Sequence, residues 1–203
     1  MSLDNEISRL LDVMPASGRM SSKIVNKPQQ SKVIDAPFPV PWRWDTRPIY
    51  INFDLWRHLS RGERDLVILR TVIGLSQIRW FKPDLYQGLT LAGLIGVTAE
   101  VVQSDVMGII IAGGLTAIAA RQIWRSNRSV ERELDADEAA IKVAERRGYS
   151  EIEAAQLLLS SIDAIAQLEG RNRLAFADLI RAQNLKAKAN LSTVGVPTSV
   201  RQE

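Results

Sequence analysis

Few side chains in this sequence could do chemistry, and Glu133 and Asp137 are the pair that stands out. They lie four residues apart in 130–159, a stretch that reads as a helix, a tight turn and a second helix. Carboxylates early in a helix complement its dipole, so one reading is a solvated acidic face. The other is an internal pair held for a purpose. A metal centre would need more than these two groups. Zinc hydrolases draw on two or three imidazoles, and this chain has one histidine, His58, placed before a helix rather than on one. Cysteine is absent, which excludes disulfides, thiolate metal sites and Cys nucleophiles. There is no phosphate-binding loop, no dinucleotide fingerprint and no Ser nucleophile with an imidazole partner. No cofactor and no metal is expected.

The elements that must position the pair follow from periodicity and caps. The 203 residues are 46% hydrophobic and 24% charged with a net charge of +3, enough for one domain with a real core, or a small domain plus a membrane hairpin. The weak positive excess, with no basic stripe and interleaved aromatics, argues against nucleic acid. Leu3, Ile7, Leu10, Leu11 and Met14 predict a short amphipathic helix ended by Pro15 and Gly18, docked on the body or on a partner or membrane surface. Residues 16–38, rich in Ser, Lys, Gln and Pro, read as a linker or a loop draped over the surface. Ile49, Ile51 and Phe53 alternate with polar neighbours, so 39–53 reads as a small β hairpin, with Trp42 and Trp44 in the core or at a lipid interface. Ser60 to Glu63 is a capping box that opens a mostly buried helix running to about Lys82-Pro83.

Two apolar runs follow, 85–102 and 106–120, each near the lower limit for crossing a bilayer and each carrying glycines that allow close helix approach. Arg79, Trp80 and Lys82 precede them, and Arg121, Trp124 and Arg125 follow. The turn between them carries only acidic charges, which places both ends on the cytoplasmic side with Trp80 and Trp124 at one interface. Two core helices are the alternative. Ser129 can cap the helix that carries Glu133 and Asp137, and Gly148 suits its left-handed end. Ser150 to Glu153 opens a helix over 151–168, and a last helix spans about 173–188, with Leu174, Phe176, Leu179 and Ile180 as its apolar contacts. The expected organisation is an N-terminal helix and linker (1–36), a strand and strap with a buried helix (37–83), a membrane hairpin (84–125), a C-terminal helical part of the same domain (126–189) and a tail (190–203).

Arg132-Glu133-Leu134-Asp135-Ala136-Asp137 resembles the R-E-x-x-A-D segment of membrane zinc metallopeptidases of the HtpX and CAAX-prenyl-protease kind. Pro48 to Asn52, Leu59 to Leu69, and Gly148-Tyr149 with Ala154-Ala155 are similar to further pieces of that family, in the same order over about residues 48–168. The resemblance implies a mainly α fold with a small β hairpin, a metallopeptidase-like helical core and a two-helix membrane hairpin. In the family the Glu is the third zinc ligand, and the Asp four residues later supports the site. The family's H-E-x-x-H falls here on Arg70-Thr71-Val72-Ile73-Gly74. Arg70 cannot ligate a cation, Thr71 is no general base and Gly74 has no side chain, so the resemblance implies a scaffold without peptidase chemistry. Arg70, at the first ligand's position, is expected to pair with Glu133 beside Asp137, a guanidinium replacing the metal as the link between two helices. Removing one partner of such a buried pair costs about 3–5 kcal/mol.

The overall pattern is also similar to an uncharacterised membrane protein family of cyanobacteria and plastids, which implies a location and no mechanism. The function expected from these readings is a non-catalytic integral membrane scaffold or interaction protein, in membrane-protein assembly or quality control. Its partners would be another membrane protein and the lipid bilayer, with self-association an open option. Both termini would be cytoplasmic, at a plasma or thylakoid membrane. The alternatives are a metallohydrolase with an atypical site and a soluble helical binding module.

Overall fold

Helix α4 (Arg61–Gln77) is the element around which the rest is arranged. Its start is fixed by the capping box: Ser60 Oγ accepts from the Glu63 N–H at 3.3 Å, and Glu63 accepts from the Ser60 N–H at 2.8 Å. Apolar side chains then emerge nearly all round it, the signature of a core helix. Leu66, Leu69 and Ile73 pack into a helical layer, while Val67, Ile68, Val72 and Leu75 pack toward a small sheet and the N-terminal helix. Full burial of each such side chain stabilises by roughly 1.5–3 kcal/mol.

In this computed structural model the described residues are 2–38, 46–77, 114 and 130–192. Before α4 come α1 (Leu3–Val13), α2 (Ala16–Ser21), β1 (Ser22–Asn26), β2 (Ile34–Asp35), β3 (Arg47–Ile51) and α3 (Phe53–Trp56). After it come α5 (Val130–Glu145), α6 (Glu151–Leu168) and α7 (Phe176–Lys188). The fold is mainly helical with one three-stranded sheet of order β1-β3-β2. β3 runs parallel to β1, with Ser22 opposite Arg47 and Asn26 opposite Ile51, and antiparallel to β2, with Ile34 opposite Ile51. Among the described residues no helix is long and apolar enough to cross a membrane. The spans expected within 84–125, and the interface anchors Arg79, Trp80, Lys82, Arg121, Trp124 and Arg125, lie outside the described residues.

Four sequence expectations are corrected. Residues 16–38 are not a linker. α1 ends just before Pro15 as expected, but Pro15 also opens α2, and Ile24 and Val33 reach the core from a stretch whose polar composition hides them. The strand at 47–51 is not half of a 39–53 hairpin: its partners come from 22–35, and residues 39–45 lie outside the described part. Asn52 ends β3 by capping α3, its Oδ1 accepting from the N–H groups of Asp54 and Leu55, while its Nδ2 donates to the carbonyls of Pro28 and Gln30. Gly18 does not end a helix but lies inside α2, where an added Cβ would collide with Val72 Cγ1. Finally, α7 starts at Phe176, and its buried stripe is Arg181, Ala182, Asn184 and Leu185. Phe176 and Leu179 are exposed. Residue type misled there because a charged residue takes the inward position.

The remaining ends follow their caps. Ser150 and Glu153 form the reciprocal box of α6, and Gly148 (φ 96°) and Gly170 (φ 67°) take the left-handed turns after α5 and α6. α1 is docked through Leu10 and Met14, both fully buried. At the far end of α4, the Arg132 Nη2 on α5 donates to the Gln77 carbonyl at 2.5 Å.

Candidate functional site

Glu133 and Asp137 share a face of α5 because one turn and a little more separates them. α4 presents Arg70 to that face. Its guanidinium pairs with Glu133, and its Nε donates to Asp137 Oδ1 at 2.9 Å. Asp137 is completely buried and takes a second guanidinium from α7. Arg181 Nε donates to its Oδ2 at 2.8 Å and Arg181 Nη2 to its Oδ1 at 2.9 Å. A two-pronged Arg–carboxylate contact of this kind is among the strongest charged hydrogen bonds. The chain of charges continues outward. Asp178 accepts from Arg181 and from Arg171, Arg171 lies 2.9 Å from Glu169, and Glu169 accepts from the Val33 N–H beside the sheet.

The electrostatics grade the two central arginines. Burial pulls Arg70 below its ordinary value, and the charge of Arg181 pulls the same way against Asp137. Burial also works against Arg181, but Asp137 and Asp178 outweigh it and hold that guanidinium above its ordinary value. The tight partnership is therefore Asp137 with Arg181. Glu133 keeps 44% of its side chain exposed, so its contact with Arg70 is a surface pair in energetic terms. The cost of about 3–5 kcal/mol expected for breaking Arg70–Glu133 belongs instead to Asp137.

These residues do not fit a metal ion. A guanidinium stands between the two carboxylates, and all the contacts of Asp137 are cationic donors. Among the described residues, no three side chains of His, Cys, Asp or Glu gather in a metal-holding group. His58 is exposed on the turn after α3. Thr71 Oγ1 donates back to the Val67 carbonyl at 2.8 Å, and Gly74 lies against Ala136, where an added Cβ would make ordinary contact at 3.6 Å. Sequence reasoning singled out Arg70, Thr71, Gly74, Glu133 and Asp137. It missed Arg181, Asp178, Arg171 and Glu169, and the only local signal was the set of charged residues at 169–181 around the start of the last helix.

A second charged cluster was missed entirely. Glu6 on α1, 3% exposed, accepts from Arg9, from Arg64 at 2.8 Å and from Trp56 Nε1 at 3.3 Å. Arg9 also pairs with Asp65 of α4, whose other oxygen accepts the Tyr149 hydroxyl at 2.9 Å.

Residues 8–149 match a family described as "Protein of unknown function (DUF3318)". The chain belongs to that family. A curated relative, thylakoid membrane protein slr1949 of Synechocystis sp. (strain ATCC 27184 / PCC 6803 / Kazusa), is 24% identical over 148 residues, 71% of this chain and 70% of the relative. No solved structure matches. The DUF3318 match includes Arg70, Glu133 and Asp137 and ends before Arg181, so the final helix that clamps Asp137 lies beyond the matched segment.

Proposed function

We propose that this DUF3318 protein is a non-catalytic membrane protein that holds or helps assemble another membrane protein. Its helical body is metallopeptidase-like in plan, with a guanidinium where the peptidases place a metal ion. The observation that carries this reading is the placement of Arg70 against both Glu133 and Asp137. A fixed cation there links α4 to α5, but it leaves no polarised water and no open ligand position. The apolar runs within 84–125 form the membrane hairpin, with both termini on the cytoplasmic side. The Synechocystis relative, a thylakoid membrane protein by name, supports a thylakoid location. The hairpin glycines, the strap at 37–44 and α1 are the contact surfaces for a membrane protein partner or a second copy of the chain.

The full-length chain, tagged and expressed in a cyanobacterium, tests this in three readings. After carbonate washing it should stay with the membranes, and release into the wash would overturn the integral placement. Elemental analysis in mild detergent should find no stoichiometric zinc, whereas zinc lost on Glu133→Gln would establish a metal site. Affinity purification from the same detergent should co-isolate a membrane protein. Recovery of the chain alone, as a monomer, would end the scaffold reading.

A further inference from the structure

We propose that the cavity beside the arginine ladder binds a small organic anion, a phosphate monoester or a carboxylate carrying a short apolar chain. The cavity holds about 320 Å³, within the range of small-molecule sites. It opens between the segment around β2, the middle of α4, the C-terminal half of α6 and the turn into α7. Ile34, Val67, Ile162 and Ile165 give it an apolar wall. Four cations also line it, Lys32, Arg70, Arg171 and Arg181, against two carboxylates, Glu169 and Asp178.

Counting donors and acceptors decides what such a site can take. Asp35, Glu133 and Asp137 pair with the cations from behind, so bare charge is not what selects the ligand. The acceptors are used. Both oxygens of Asp178 accept guanidinium N–H groups, one Glu169 oxygen accepts from Val33, and the other lies against Arg171. The donors are not all used. Among the described residues Arg70 Nη1 and Arg171 Nη2 have no partner, while Arg171 Nε is held by Glu169 at 2.9 Å. A cation entering here would find occupied oxygens, while an anion would find free guanidinium N–H groups next to aliphatic carbon. A negative charge would also offset the burial and the repulsion from Arg181 that weaken the charged state of Arg70. The proposal stands apart from the membrane reading, since every residue it uses lies outside 78–129.

The test is isothermal titration of the full chain in mild detergent with butyl phosphate, inorganic phosphate and 1-butanol. Butyl phosphate should saturate at one per chain, inorganic phosphate should bind at least about tenfold more weakly, and butanol should give no saturable heat. Arg171→Gln should weaken butyl phosphate about tenfold while the circular dichroism spectrum is kept, because Glu169 and Asp178 each retain another donor. Thr71→Met, which adds bulk to the cavity, should weaken it too, and Lys32→Gln, at an exposed position that folding does not need, should weaken it a few-fold. Absence of saturable binding, or binding unchanged in all three variants, would overturn the proposal. Repeating the titration in nanodiscs separates the sources of the anion. Loss of binding in phosphatidylglycerol discs but not phosphatidylcholine discs identifies a lipid headgroup, and equal binding in both identifies a soluble ligand.

Discussion

Helix α4 carries two charged clusters with opposite polarity. Around Asp137, one buried carboxylate is shared by two guanidiniums, Arg70 and Arg181. Around Arg9, one guanidinium is shared by two buried carboxylates, Glu6 and Asp65. The difference matters because a stranded carboxylate can take up a proton, whereas a guanidinium keeps its charge at any ordinary pH. Loss of the centre in the first cluster leaves two cations close together that cannot shed their charge, with only the half-exposed Glu133 and Asp178 as their remaining partners. Loss of the centre in the second leaves anions that acid can quench.

The largest expected effect is therefore at Asp137. Asp137→Ala should destabilise by about 3–5 kcal/mol in urea unfolding, equally at pH 5 and pH 8. A cost below about 1 kcal/mol would show that Glu133 and Asp178 suffice to hold Arg70 and Arg181. Arg9→Met comes next, at about 2–3 kcal/mol near neutrality, because Glu6 keeps Arg64 and Asp65 keeps Tyr149. Unlike the first, this cost should shrink in acid. Burial pushes Glu6 up, but Arg9 and Arg64 outweigh it and hold the carboxyl below its usual 4.5. The stability this supplies is present above about pH 4.5 and is lost as pH falls through the lower folded value. Glu6→Gln should flatten that acid slope, and an unchanged slope would remove Glu6 from the account.

Tyr149→Phe should cost about 1–1.5 kcal/mol. Burial, then the hydrogen bond to Asp65 and its charge, push the Tyr149 hydroxyl from 10.0 up to about 12. That contribution is intact below pH 10 and disappears as pH rises through about 12, so the parent and the Phe variant should converge there. The smallest effect is at Glu133, where Ala should cost no more than about 0.5–1 kcal/mol, since 44% of the side chain meets water. A loss matching that of Asp137→Ala would make the two carboxylates one unit and erase the grading within the first cluster.

Legibility in the sequence followed range. The capping boxes at Ser60 and Ser150 and the turn at Gly148 are local, and each is where the residues place it. The meeting of Arg70 with Glu133 and Asp137 was readable only through the resemblance of a whole segment order, because no local rule joins residues so far apart. Arg181 and Glu6 were not readable at all. Each is a charged residue on a helix where charge is expected to face solvent, and only the fold turns it inward. The strands at 22–26 and 34–35 were hidden for a related reason: β1 holds only Ile24 and Val25 as apolar residues among Ser22, Lys23 and Asn26, too short a pattern to outweigh the composition around it.

The order in which the ribosome delivers these parts has a consequence of its own. α4 emerges with Arg70 and the apolar row Leu66, Leu69 and Ile73, but their cover comes from α5 to α7, after residues 78–129 have been made. At roughly 5–20 residues per second that interval is about 3–10 s. For those seconds the nascent first half has its sheet and α1 in hand but an uncovered oily flank, so chaperone dependence should concentrate in this one window of translation.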